Sequence, residues 1–432
     1  MREVNASIIT IGDELLIGQT IDTNSAFIGQ ELNRIGIWVS KRVAIGDSKK
    51  DILKVLEEEG KNNDVVIITG GLGPTADDIT KPTLCEYFNT RLVMNEAALE
   101  NVKDIFTKLN RPLIERNLKQ AEVPEACVVL QNKRGTAPGM WFGPQPSLLQ
   151  SLDTAQKQTI YISLPGVPHE MKGLITGTVI PALEQLPGLP AIVHRTLLTS
   201  GIGESMLAEH ISDFENALPG EVKLAYLPSY GLVRLRLTCR HENKAIAEET
   251  VTKEFEKLKL LVKKWKVADE NTALEKAVND LLRSRKKTLG TAESCTGGYI
   301  AHLITSVPGS SDVFKGSVIS YANELKEELL GVKGSTLRKF GAVSEETVRE
   351  MVAGGLNQLK TDYLVATSGI MGPGGGSDEK PVGTVWIAVG NKEKTITLKS
   401  FFRYERERNI EMTAHAALSL LYRFITAGEG NE

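Results

Sequence analysis

A chain of 432 residues is long enough for two to four domains, each burying its own core. Hydrophobic residues at 41% and charged residues at 24% lie near the averages of soluble globular proteins, which excludes a disordered, collagen-like or coiled-coil chain. The 51 Lys and Arg against 54 Asp and Glu leave a formal net charge of −3, without the basic surplus that binding a phosphate backbone requires, so nucleic acid is not an expected partner.

The N-terminal stretch MREVNASIITIGDELLIG carries Asp13 and Glu14 where a signal peptide needs an unbroken apolar run. No stretch approaches the ~18 apolar residues that cross a bilayer, so no membrane partner is expected and the location is expected to be cytoplasmic. Cys85, Cys127, Cys239 and Cys295 are scattered without a CxxC pair, which fits a reducing compartment. His169-Glu170 and His241-Glu242 each lack the second histidine of a helical zinc motif.

Through residues 1–171, short apolar runs (ASIITIG, WVSKRVAIG, VVIITGG, IYIS) alternate with amphipathic stretches (SAFIGQELNRIG, DILKVLEEEG), which predicts a parallel sheet with crossover helices. Residues 172–265 change to a small α+β pattern. The basic run Lys257 to Lys266 in that segment follows glutamates at helical spacing and reads as a solvated face. Residues 266–432 return to alternating strands and helices, giving a third, α/β domain.

Two loops of the first domain carry candidate chemistry. The strand DVVIIT runs straight into GGLGPTADDIT, where Gly70, Gly71 and Gly73 let backbone amides approach a phosphate. Asp77 and Asp78 would repel that phosphate unless a metal ion bridged them, and a plain tight turn accounts for the glycines equally. The first strand ends in GDELLIG with Asp22-Thr23-Asn24 beyond it, and here helix capping by Asp13 and Asp22 competes with a ligand site.

In the third domain TLGTAESCTGG reads as a strand entering a helix. Ser294 there is either a helix cap or a nucleophile whose oxyanion the amides from Cys295 to Gly298 stabilise. A serine nucleophile needs a base, yet no GxSxG elbow and no partner histidine stand out. Lys326, in the segment SYANELK, is the remaining candidate, since burial lowers a lysine pKa, although an exposed helix lysine is the plainer reading. Cys295 is a rival nucleophile, expected to face away if Ser294 faces the pocket. GPGGG at 372–376 is either a flexible turn or a close backbone approach to a phosphorylated ribose.

TIGDELLIGQTIDTN, TGGLGPTADDIT, NKRGTAPGM, LPGVPHEM, AESCTGG, YANELK and SGIMGPGGGSDEKPVGTVWIA, in that order, resemble the signatures of the competence/damage-inducible protein CinA family. The resemblance implies two three-layer α/β domains, a molybdopterin-binding-like domain over 1–171 and an amidohydrolase over 266–432, joined by a small α+β KH-like domain over 172–265. It implies that the first hydrolyses ADP-ribose to AMP and ribose 5-phosphate with a divalent metal held by Asp77, Asp78 and Asp13, Asp78 acting at the phosphoryl centre while Gly70, Gly71, Gly73 and Thr80 bind substrate. It implies that the last, without a cofactor, deamidates nicotinamide mononucleotide with Ser294 as nucleophile, Lys326 as base and Tyr321 assisting. Thr296, Gly297, Gly298, Gly372, Gly374 and Arg406 then bind substrate. Tyr404-Glu405-Arg406 keeps only the arginine of a usual Gly-Asp-Arg, Met371 replaces a usual alanine, and Ile410 replaces a usual second arginine. A KH module clamps RNA with a GXXG loop, and no two glycines between 172 and 265 stand three apart. A homodimer is the expected assembly. The alternatives are a nucleotide- or pterin-binding protein assisting competence or recombination without catalysis, and a chain with only one working domain.

Overall fold

The computed structural model describes residues 4–75, 78–151 and 158–427. The chain forms two compact units, residues 1–193 with 239–249, and residues 194–238 with 250–432.

In the first unit a six-stranded sheet has the order β2-β1-β3-β6-β5-β4. Its strands are β1 (Asn5–Ile11), β2 (Trp38–Ile45), β3 (Val65–Thr69), β4 (Val128–Leu130), β5 (Gly139–Phe142) and β6 (Ile160–Leu164). β1, β3 and β6 are buried at nearly every position because helices cover both faces of the sheet. On one face Ile8, Val65, Ile67 and Ile162 pack with Ile28 and Leu32 of α1 (Thr23–Arg34). On the other, Ile9, Val66 and Ile68 pack with Ile52 and Leu56 of α2 (Lys49–Asn62) and Leu84 of α3 (Thr80–Tyr87). Strand alternation thus feeds two cores from one sheet, which is what makes the unit three-layered.

The sheet is mixed where the sequence predicts a parallel one. β1 pairs in parallel with β2 and β3, and β3 with β6, but β6–β5 and β5–β4 are antiparallel. The link QNKRGTAP between β4 and β5 is too short for the crossover that a parallel pair needs.

The second unit carries a four-stranded sheet of order β8-β9-β7-β10 and a five-stranded sheet of order β12-β11-β13-β14-β15. The first contains β7 (Ala191–Ser200), β8 (Val222–Ser229), β9 (Leu232–His241) and β10 (Lys266–Ala268). The second contains β11 (Leu289–Glu293), β12 (Phe314–Ile319), β13 (Tyr363–Gly369), β14 (Thr384–Gly390) and β15 (Thr395–Phe401). β11 is parallel to both β12 and β13, so its carboxyl end opens between two like-directed neighbours, where α/β sheets bind ligands.

The 21-residue helix α6 (Arg406–Thr426) buries Ala414, Ala417, Leu418, Leu421 and Ile425 at three- and four-residue spacing. Against it pack Val365, Val385 and Ile387 of the sheet, and also Leu198 of β7 and Leu232 of β9. The opposite sheet face, with Ala292, Leu364 and Ala388, packs under Val348, Met351 and Val352. Tyr230 stacks on His415 with ring centroids 4.8 Å apart, and the Ser200 and Ser419 hydroxyls bond each other. Leu198, Leu232 and the five-stranded sheet therefore share one core.

Three of the five lysines in the basic run are paired with nearby acids. Lys257 meets Glu254 at 2.7 Å, Lys259 meets Glu256 at 2.8 Å and Lys266 meets Asp269 at 2.7 Å. Among the described residues no helix is long and apolar enough to cross a membrane.

Candidate active site

β11 delivers Ser294 to the end of the five-stranded sheet, and the Ser294 N–H donates to Thr367 O of β13 at 3.0 Å, which extends the sheet by one residue. The chain then turns through Gly297 and Gly298, both at positive φ, into the short helix Tyr299–Thr305.

 Gly298 has φ +97° and a Cβ there would stand 3.0 Å from Ile319 Cδ1, so the turn closes against β12 only with glycine.

Lys326 sits in α4 (Asn323–Leu330), 32 residues beyond the serine, and is 1% exposed. Its Nζ lies 3.0 Å from Ser294 Oγ, 2.7 Å from Ser320 O and 3.1 Å from Tyr321 O. Burial holds this amine below its ordinary pKa, with the Cys295 thiol and Glu324 opposing the shift. A neutral amine has two hydrogens and one lone pair. In that form the two carbonyls would accept the hydrogens and the lone pair would be left for the proton of the Ser294 hydroxyl.

A cavity of about 190 Å³ opens on this pair, lined also by Cys295, Tyr321, Ser368 and Arg406. Arg406 heads α6; its Nη2 donates to the Tyr321 hydroxyl at 3.0 Å and its Nη1 to Gly372 O at 2.7 Å. Asn409, fully buried one turn later, donates to Met371 O and Tyr404 O and accepts from Tyr404 N–H, which ties the 371–372 loop to the start of that helix.

Cys295 stands with Ser294 on the cavity wall, yet it is buried and belongs to the core cluster of Ile300 and Val365. Burial pushes its thiol up to about 12, which keeps it protonated and a poor nucleophile beside the serine. Gly297, Gly298 and Gly374 are not among the cavity residues, and the amides of Gly297 and Gly298 are already bonded, to Ser294 O and to Glu293. Thr296 is 3% exposed and bonds Glu293 Oε2 at 2.7 Å and Thr367 Oγ1 at 2.8 Å, so it supports the turn from behind. Sequence reasoning passed over Glu293 and Asn409. The available signal for Glu293 was an acid closing an apolar strand directly before a glycine-rich helix start.

In the first unit a cleft at the carboxyl ends of β1 and β3 is lined by Thr10, Glu14, Asn24, Thr69, Gly70 and Gly166. Gly70 has φ +117°, and a Cβ there would fall 2.2 Å from Ile11 O, so only glycine lets the loop cross the end of β1. Gly71, Gly73, Asp13 and Asp78 do not line this cleft. The Asp78 carboxylate is turned into its own loop, accepting from Gly73 N–H at 2.7 Å, Thr75 N–H at 2.8 Å and the Thr75 hydroxyl. Thr80 is fully buried and its hydroxyl donates to Gly70 O at 3.2 Å, so it holds the loop from inside. Asp22 caps α1 through Ser25 N–H at 2.9 Å, as expected of a cap, whereas Asp13 exchanges bonds with Asp47: each side chain accepts from the other's N–H. Asp77 lies outside the described residues. Among the described residues no three His, Cys, Asp or Glu side chains gather to hold a metal ion.

Three family models match the chain in sequence order. They are the probable molybdopterin binding domain over residues 7–185, the damage-inducible protein CinA KH domain over 194–265 and the CinA C-terminal domain over 271–425. A CinA-like protein of Cytophaga hutchinsonii is 45% identical over 420 residues, covering 97% of this chain and 98% of that protein. A CinA-like protein of Flavobacterium psychrophilum is 45% identical over 424 residues, covering 98% and 99%. Among solved structures, the competence/damage inducible protein CihA from Agrobacterium tumefaciens matches 34% of this chain and 91% of its own at 37% identity, with a TM-score of 0.34.

Proposed function

The chain belongs to the CinA family, with a molybdopterin-binding-like domain at its N-terminal end, and from that premise we propose that its second unit hydrolyses the carboxamide of nicotinamide mononucleotide. The observation that carries this reading is the buried Lys326 amine 3.0 Å from Ser294 Oγ, with both neighbouring carbonyls taking its hydrogens. Lys326 accepts the hydroxyl proton as Ser294 Oγ bonds to the carboxamide carbon. The tetrahedral intermediate collapses with the C–N bond breaking, and the proton on Lys326 goes to the departing nitrogen as ammonia. Water, deprotonated by Lys326 in turn, attacks the acyl-serine and releases nicotinic acid mononucleotide. Arg406 supports the same substrate, since a guanidinium at the cavity mouth suits a phosphate.

For the first unit we propose hydrolysis of ADP-ribose to AMP and ribose 5-phosphate. What supports it is the cleft beside Gly70 at the strand ends, where open α/β sheets take ligands. A divalent ion belongs to this proposal as a companion of the substrate diphosphate, and no step is assigned to it. A cytoplasmic homodimer, without nucleic acid or membrane, completes the proposal.

The test incubates wild type and Ser294→Ala with nicotinamide mononucleotide and measures ammonia and nicotinic acid mononucleotide together. Release by wild type alone supports the amidohydrolase. Equal release by both, or by neither, overturns it.

A further inference from the structure

Glu293 closes β11 and is fully buried, one residue before the nucleophile. Its carboxylate is surrounded by donors. Oε2 accepts from the Thr296 hydroxyl at 2.7 Å, Gly298 N–H at 3.0 Å and Ile300 N–H at 3.1 Å. Oε1 accepts from Ala301 N–H at 2.9 Å and the Thr291 hydroxyl at 3.1 Å. The peptide groups of Glu293 and Ser294 are fixed as well: Ser320 N–H donates to Glu293 O at 2.9 Å and Ser294 N–H to Thr367 O at 3.0 Å.

These bonds divide the amides of the turn into two groups. Those of Ser294, Gly297, Gly298, Tyr299, Ile300 and Ala301 all have acceptors inside the protein. Among the described residues, the N–H groups of Cys295 and Thr296 have no main-chain acceptor, the Cys295 N–H facing only its own thiol, and Cys295 lines the cavity next to Ser294. The start of the helix Tyr299–Thr305 is therefore filled by the protein's own carboxylate and is closed to substrate. An isolated buried carboxylate would be costly, whereas this one meets five donors within 3.1 Å and the Ser317 hydroxyl at 3.5 Å.

We infer that Glu293 is the positioning residue of the nucleophile turn: by gathering the amides of Gly298, Ile300 and Ala301 and the Thr296 hydroxyl, it fixes Ser294 against Lys326 and leaves the Cys295 N–H, on the cavity wall, to receive the oxyanion. Glu293 touches no substrate. It acts through the turn, and the inference rests on the amidohydrolase reading of this site.

The requirement is for an acceptor with two oxygens at full reach. Glu293→Gln puts an NH₂ group against backbone N–H donors, and Glu293→Asp shortens the reach by one methylene. The experiment measures nicotinamide mononucleotide deamidation by the full-length chain and both variants across pH, with activity normalised to folded protein by circular dichroism. A misplaced oxyanion donor lowers kcat by about 100-fold, so both variants are expected to lose that much, with KM within about twofold and the Lys326-dependent limb of the pH profile unmoved. Wild-type kcat in Glu293→Gln overturns the inference. So does a displaced pH limb at full kcat, which would assign Glu293 to the lysine instead of the turn.

Should wild type leave nicotinamide mononucleotide intact, the amidohydrolase reading falls, and the turn is then read by labelling Ser294 with a fluorophosphonate, located by mass spectrometry. Labelling of wild type with loss in both Glu293 variants upholds the positioning role; equal labelling of all three, or none of wild type, overturns it. Failure of both variants to fold is met by Thr296→Val, which removes one donor from Oε2 without leaving an unpaired buried charge. It is expected to lower kcat in the same direction by a smaller factor, and an unchanged kcat there overturns the inference.

Discussion

Lys326 Nζ stands 3.0 Å from Ser294 Oγ although 32 residues separate them, and the same nitrogen is held by the Ser320 and Tyr321 carbonyls. The carbonyls fix where the amine's lone pair points. Lys326→Met keeps the volume of the side chain and removes the base. It is expected to lower kcat by about 10²- to 10⁴-fold, the range of general-base catalysis, while the folded state persists. Steady-state deamidation of nicotinamide mononucleotide checks it.

The same burial sets a pH dependence. Lys326 works as a base only when neutral, and burial lowers its pKa from 10.5. Activity is therefore expected to rise with pH along a limb whose midpoint lies below 10.5, and to fall as acid protonates the amine. The stability contribution has the matching sign. The unfolded chain binds this proton more tightly than the folded one, so stability rises with pH from the depressed value up to 10.5. Urea denaturation of wild type and Lys326→Met across that range reads the difference, and a parallel pair of curves contradicts it.

Arg406 bridges the Tyr321 hydroxyl and Gly372 O at the cavity mouth. Arg406→Ala is expected to raise KM for nicotinamide mononucleotide by about 10- to 100-fold, the equivalent of one or two charge-assisted hydrogen bonds. Arg406→Lys cannot form the two-pronged contact and is expected to recover little. Initial-rate kinetics separates KM from kcat, and a loss confined to kcat would argue against phosphate binding there.

Ser294 and Lys326 stand out only through the resemblance carried by AESCTGG and YANELK, since the residues by themselves read as a helix cap and an exposed lysine. The mixed sheet of the first unit was not legible, since apolar runs give strands without their direction, and the reversal at β5 depends on how short the link after β4 is. The Arg406–Tyr321 contact spans 85 positions and follows from where α6 begins relative to β12, which no local pattern encodes. The family resemblance, and not its neighbours, places Asp78 at the phosphoryl centre. The structure turns it into its own loop because Gly73 and Thr75 offer it amides at closer range.

That loop gives a prediction for the first unit. Asp78→Ala removes the acceptor shared by Gly73 N–H, Thr75 N–H and the Thr75 hydroxyl. It is expected to abolish metal-dependent turnover of ADP-ribose and to leave nicotinamide mononucleotide deamidation unchanged. A chelator should reproduce this pattern in wild type. Loss of both activities together would show that the two sites are not independent.

Leu198 is fully buried in a core with Leu418 and Leu421. Leu198→Ala is expected to destabilise the second unit by about 2–5 kcal/mol. Chemical denaturation followed by the loss of deamidation measures it; a cost below about 1 kcal/mol, the size of an ordinary surface substitution or less, would mean that the strand contributes little to that core.

Sharing a core in this way constrains how such a protein is taken apart. A fragment starting at residue 266 would shed Leu198 and Leu232 and uncover the apolar side chains that they cover. A free-standing fragment from residue 266 onward would need water-compatible residues at those contact points, so a cut at that seam has to be matched by point mutations along it.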